Sequence, residues 1–239
     1  PGQPDKAPAM MPLRIAAFAM DGSGAALPDT LVTLTDATQR IMLGAFAARP
    51  ALSVNRGFSA PVIVDFERAP GELAWLAAHD DDPFARYEAL QQLMLDTLVA
   101  AVSGETVEHG VVIDAVAQTL GGRAADPAFV AEAVLLPSEA FVGDQMVTVD
   151  PDAIRRERLA LQAAIGRALE AEWRAILSET PPPAAILSRK AKGGRRLRGV
   201  ALAYLAATGL PDAPAVAFGI FSDADGMTER QAALATLAH

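Results

Sequence analysis

Cysteine is absent from the 239 residues. That excludes disulfides, thiolate metal sites and cysteine nucleophiles, suits a reducing compartment, and makes a cytoplasmic location the expectation. Aromatic residues make up only 5%, with alanine supplying much of the apolar share, so closely packed helices are expected, because alanine loses no side-chain entropy on entering a helix. A basic excess is also missing. The formal charge is −9 and the isoelectric point near 4.8, which speaks against nucleic acid as a partner, since phosphate binding needs a basic face. No apolar run approaches the roughly 18 residues of a membrane span; "GVALAYLAATGL" is too short. The opening "PGQPDKAPAMMP" lacks the apolar core of a signal peptide, and a start at proline within a proline-rich stretch reads as a cut between domains. What remains, 51% hydrophobic and 21% charged, is a globular profile.

The pattern changes once along the chain. Up to about residue 67 it reads as β. The segments "LRIAAFAM" (13–20), "TLVTLTD" (30–36), "QRIMLGA" (39–45), "ALSVN" (51–55) and "APVIVDF" (60–66) are short and bounded by turn signals, which predicts a small antiparallel sandwich. "DGSG" (21–24) marks a hairpin, with Gly22 and Gly24 free to take positive φ, and Arg56-Gly57 marks a turn or bulge. From residue 68 the period becomes helical. Tyr87, Leu90, Met94, Leu98 and Val102 form one stripe. Asp82-Pro83, Asp126-Pro127 and Asp150-Pro151 each read as an N-cap followed by proline in the first turn. The segment after Asp150 is expected to be the longest helix, burying Ile154, Leu161, Ile165, Leu169, Trp173 and Ile176, with Glu170 and Arg174 paired at i,i+4. Further helices are expected at 195–208 and 212–221, and a last one from a Thr228/Gln231 capping box. The fold class is therefore a β + α multidomain chain: a β-sandwich domain over 1–67, then an all-α domain of stacked antiparallel helix pairs over 68–239.

No motif names a reaction. His79, His109 and His239 are far apart, with neither H-E-x-x-H nor any other ligand spacing. "HDDDPF" (79–84) gathers one imidazole and three carboxylates, which a divalent cation would suit. A loop ending in the Asp82 cap, with Asp80 and Asp81 as solvated charges, explains it better. In "FSDADGMTER" (221–230), aligning Gly226 with the glycine of a calcium loop puts Phe221 and Ala232 where the end ligands belong, so a helix–helix connection is the better reading. "SRKAKGGRRLR" (188–198) holds six basic side chains. A phosphate or RNA site there competes with a mobile loop leading into a helix, and the acidic whole, the lack of interleaved aromatics and the Gly-Gly break favour the loop. Arg195, Arg196 and Arg198 near a helix start oppose its dipole and so call for carboxylate partners. No G-x-S-x-G elbow is present, and "GSG" (22–24) lacks the strand-to-helix setting of a dinucleotide fingerprint. No catalytic or metal residue is assigned, and substrate-binding residues stay unassigned.

Several stretches in order resemble the C-terminal portion of the bacterial aminopeptidase N family, zinc-dependent alanyl aminopeptidases of the gluzincin type. They are "RGFSAPV" (56–62), "DPFARYEALQQL" (82–93), "LLPSEAFV" (135–142), "VDPDAIRRERLAL" (149–161), "GRRLRGVALAYLA" (194–206) and "DADGMTERQAAL" (223–234). The stretch 180–194 departs from the family pattern. The resemblance implies a four-domain metallopeptidase, a peptide hydrolase whose zinc site, substrate motif and transition-state tyrosine lie upstream of Pro1. The present chain would correspond to its sandwich and the first part of its superhelical domain. On that reading it is inactive alone and binds no zinc of its own. Its partners would be the upstream catalytic domain of its own full-length chain and the parent's peptide substrates, and it would self-associate through an apolar face near Leu234 and Leu237. The alternative is a stand-alone β-sandwich/helical protein-interaction module; an RNA-binding role for 188–198 ranks below both.

Overall fold

The computed structural model describes residues 9–21, 23 and 26–238. The chain divides into two compact units, residues 1–89 and 90–239. Gly22 and Gly24, expected at positive φ, lie outside the described residues, as does His239.

In the first unit, β1 (Met11–Phe18), β2 (Ala26–Leu34) and β3 (Ala51–Val54) form a three-stranded antiparallel sheet in the order β2-β1-β3. β1 pairs with β2 from Met11↔Leu34 to Phe18↔Ala26, with an irregularity between Ile15 and Ala17. Burial alternates along the first half of β1 and then becomes continuous over Ile15, Ala16 and Ala17, where β3 pairs on the other side. A strand flanked on both edges and covered on both faces has no solvent side to leave polar. Helix α1 (Pro70–His79) buries Leu73, Leu76 and Ala77, and Trp75 on it meets Phe18 with ring centroids 5.6 Å apart.

Two expected strands are absent. Residues 39–45 and 60–66 form no strand, and Met42 and Ile63 stand 82% and 96% exposed. Their β-branched and apolar character is a preference for a pleated surface with neighbours. Both edges of β1 are already taken by β2 and β3, and neither segment pairs with β2 or β3 in the three-stranded sheet.

Ten α-helices occur among the described residues. α2 (Pro83–Val102) carries the expected stripe across the division between the units, with Leu90, Met94 and Leu98 each at most 1% exposed. The second unit continues with α3 (Gly110–Leu120), α4 (Pro127–Ala133), α5 (Glu139–Gly143), α6 (Pro151–Ala168), α7 (Glu170–Ser178), α8 (Arg189–Ala207), α9 (Ala213–Asp223) and α10 (Met227–Ala238). The three Asp-Pro starts cap as expected: the Ala85, Phe129 and Ala153 amides donate to Asp82, Asp126 and Asp150 Oδ1 at 2.8, 3.0 and 3.0 Å. Ser138 and Ser188 cap α5 and α8 in the same way.

The segment after Asp150 is broken in two. Leu169, at φ −113°, ends α6 and opens α7, leaving α2 the longest helix described. All six residues expected on its inner side are nonetheless buried. The last helix starts at Met227, so Thr228, expected as its cap, is instead its second residue.

α8 packs against α4, α6, α7, α9 and α10. Its approach to α4 leaves no room for a side chain at Gly193, where a Cβ would stand 2.4 Å from the Ala128 amide nitrogen. On α6, a Cβ at Gly166 would meet the Tyr204 carbonyl oxygen at 2.3 Å. Between them Tyr204 stacks on Trp173 at 4.6 Å with rings 5° from parallel, and its hydroxyl donates to the Val134 carbonyl at 2.6 Å. Burial pushes that phenol's pKa up. Leu202, Ala217 and Ala233 close the core between α8, α9 and α10.

Candidate functional site

"HDDDPF" and "NRGF" meet in the first unit. Asn55, at φ 61° and ψ 34°, takes the left-handed conformation, which asparagine tolerates because its side chain bonds locally; here Oδ1 accepts from the Ala60 amide at 2.9 Å and the Ser59 hydroxyl at 3.2 Å. The turn that follows (Arg56–Phe58) carries positive φ at Gly57 and Phe58. It turns Arg56 inward, leaving it 3% exposed. The guanidinium donates to Asp80 Oδ1 at 2.7 Å, to Ser53 Oγ at 3.1 Å and to Asp81, and its Nε lies 3.7 Å from Asp29 Oδ2. Asp29 also pairs with Arg14. Asp82 accepts from the Gly57 amide at 3.1 Å while capping α2.

Asp80 and Asp81 are therefore not solvated loop charges. The Asp80 side chain is fully buried and Asp81, though exposed, is an ion-pair partner. Their cation lies 24 and 25 residues upstream, beyond the reach of a local pattern. Burial works against the charge on Arg56, but the hydrogen bond to Asp81 and the charges of Asp80, Asp81 and Asp29 together outweigh it and raise its pKa. The same hydrogen bond holds the Asp81 carboxyl below its usual range. The arrangement ties a sheet turn to a helix start. Its carboxylates face a cation, so it is built for position rather than for proton transfer.

The basic stretch 188–198 is helical from Arg189 on, not a mobile loop. Its Gly-Gly pair, read as a break, is where α8 comes against the backbone of α4. The six cations divide by depth. Arg195, 5% exposed, donates to the carbonyls of Pro183 and Ile186, each at 3.0 Å. Arg198 donates to the carbonyls of Ile176, Leu177 and Glu179 at 3.1, 2.8 and 2.7 Å and to Glu229 Oε1 at 2.9 Å. At the surface Arg189 pairs with Asp126 at 2.8 Å and Arg196 with Glu132 at 3.1 Å. The opposed dipole is thus answered by carboxylates for Arg196 and Arg198, as expected, and by carbonyls for Arg195.

"FSDADGMTER" is a helix–helix connection, with α9 ending at Asp223 and α10 beginning at Met227. His79 ends α1 with its ring 5.0 Å from Trp75, and His109 precedes α3 without a side-chain capping bond. No group of three or more His, Asp or Glu that could hold a metal ion occurs among the described residues. The zinc that the family resemblance implies finds no fitting donor set among them. No helix among the described residues is long and apolar enough to cross a membrane. One depression of about 390 Å³ lies beside Arg189, Lys192 and Arg196, and another of about 360 Å³ lies where α8, α9 and α10 meet the proline run 181–183.

A family model described as "Domain of unknown function (DUF3458_C) ARM repeats" matches residues 70–239, and the chain belongs to that family. A second, "Domain of unknown function (DUF3458) Ig-like fold", matches residues 1–67. Among curated relatives, aminopeptidase N of Caulobacter vibrioides is 34% identical over 210 residues, covering 86% of this chain and 24% of its own. Aminopeptidase N of Escherichia coli is 27% identical over 247 residues, covering 98% of this chain and 28% of its own. The chain thus spans about a quarter of the length of these relatives. The crystal structure of Legionella pneumophila aminopeptidase A in complex with aspartic acid superposes with a TM-score of 0.82 over 96% of this chain and 28% of that one, at 23% identity, a likeness of fold. The aminopeptidase N resemblance drawn from the sequence and the β + α fold class are borne out.

Proposed function

We propose that the chain is a noncatalytic part of a zinc aminopeptidase of the aminopeptidase N type, acting in the cytoplasm. In this reading a sandwich over 1–67 spaces the domains, and a helical domain from 68 on walls off a peptide-binding cavity whose chemistry other parts of the protein supply. Excluding water and bulky peptides is a gating role that asks no chemistry of the helices themselves. The supporting observation is the match that fills 98% of this chain yet only 28% of the Escherichia coli aminopeptidase.

The experiment is an assay of the purified 239-residue chain on alanine p-nitroanilide, with zinc measured in the same preparation. No hydrolysis and no stoichiometric zinc are expected. Turnover that persists through a second purification and stops with a chelator overturns the proposal.

A further inference from the structure

The strained turn of the first unit holds an aromatic residue out to solvent. Phe58 takes φ 53°, a left-handed conformation that costs free energy for a residue with a bulky Cβ substituent and that glycine or asparagine adopts more readily. The residue is 57% exposed, and its ring meets that of Phe84 with centroids 5.5 Å apart and planes at 56°. We propose that this pair is a docking point within the full-length protein, where an apolar surface of the polypeptide outside these 239 residues closes over the Phe58 ring.

A lone exposed apolar side chain is ordinary on a protein surface. Phe58 differs because the turn that carries it is tied down on every side. The Gly57 amide donates to Asp82 Oδ1 and the Phe58 amide to the Asn55 carbonyl at 3.0 Å. The Ala60 amide donates to Asn55 Oδ1, and Ser59 Oγ accepts from the Arg14 amide of β1 at 2.9 Å. Backbone strain that persists under such restraint points to function. A ring fixed in this way has little freedom left to lose, which lowers the cost of covering it.

The surroundings have the anatomy of an interface, an aromatic centre within a polar rim. A Cβ on Gly57 would stand 3.7 Å from Arg14 Nη1 and 3.8 Å from Asp82 Oδ2, so a cation and a carboxylate flank the turn. The occupant follows from length. About three-quarters of each curated aminopeptidase N relative lies outside its match to this chain. That much further polypeptide has to meet the first unit somewhere, and a rigid aromatic anchor is the kind of residue that carries such contacts. The inference rests on the reading of the chain as part of a longer aminopeptidase, and it names the place where the first unit is held.

Because cysteine is absent, Phe58→Cys gives the 239-residue chain a single thiol. Its alkylation by iodoacetamide is followed by peptide mass in this chain and in the product of the full reading frame that encodes it, with circular dichroism checking the fold. Alkylation at position 58 is expected to be at least about tenfold slower in the full-length protein. In the 239-residue chain it is expected to stay fast at every protein concentration. Carbene footprinting of the unsubstituted proteins makes the same comparison without a variant, and Phe58 is expected to be modified at least about tenfold less in the full-length protein. Equal modification in a full-length protein that hydrolyses alanine p-nitroanilide overturns the inference and leaves the aminopeptidase reading standing. Protection in a full-length protein without that activity does the reverse. Protection that grows with the concentration of the 239-residue chain alone makes a second copy the occupant and overturns the inference. A reading frame that ends with these residues overturns both.

Discussion

Arg56 in the first unit is buried and Arg198 in the second largely so, its side chain 11% exposed, and the two are held by different chemistry. Arg56 is held chiefly by carboxylates, with Asp80 beneath it and Asp81 at the surface. Arg198 is held chiefly by carbonyls at the end of α7, groups that a helix leaves without partners of its own. A carboxylate cancels a buried charge strongly but takes up a proton in acid. A carbonyl dipole cancels it more weakly and never titrates. The two units therefore solve one problem with opposite sensitivities, and three measurements test that contrast.

The largest effect is expected from Arg56→Met, which strands the Asp80 carboxylate in the interior. Breaking a buried pair from one side costs about 3–5 kcal/mol, read as a lower urea midpoint in the emission of Trp75, which lies in the first unit. Adding Asp80→Asn removes the stranded charge and keeps an acceptor for the Asp82 amide, which now donates to Asp80 Oδ1 at 2.9 Å. The double variant is expected to regain at least about 1 kcal/mol. A double variant no better than the single one breaks the contrast.

Arg198→Met comes next, at about 2–4 kcal/mol, read by Trp173 in the second unit. Its loss is spread over three carbonyls and Glu229, so Glu229→Gln added to it is expected to recover less than Asp80→Asn does beside Arg56→Met. Equal recovery at the two sites shows that the partners' chemistry makes no difference.

Acid gives the smallest effect. The folded Asp81 carboxyl lies below its usual range because of its hydrogen bond to Arg56. Its stabilising contribution is complete above the unfolded value of about 3.9 and disappears as pH falls through the lower folded value. Below pH 4 the emission maximum of Trp75 is expected to shift at a higher pH than that of Trp173. The reverse order counts against a carboxylate-held first unit.

Much of this architecture is legible in the sequence because it is written locally. The Asp-Pro caps and the stripes of α2, α6 and α7 need only neighbours three or four residues away, and each such reading holds. Several of the misreadings share a cause. Residues 39–45 have the composition of a strand but pair with neither outer edge of the sheet, that of β2 or that of β3. Asp80 looks solvated until Arg56, folded back by a left-handed Asn55, is placed beside it. Gly193-Gly194 looks like a break until Ala128 is seen against it. In each case the deciding partner is remote in sequence, and a single chain without its fold carries no sign of that distance.

Gly166 and Gly193 carry a consequence for how this protein can change. They are places where a missing side chain, rather than a present one, sets the spacing of helices. In a library of all single substitutions both would read as blanks, while Lys190 and Lys192, on the same helix as Gly193, would tolerate most replacements. The chain is free to redraw the charge of α8 over generations, but it has almost no freedom in the two empty spaces on which that helix rests.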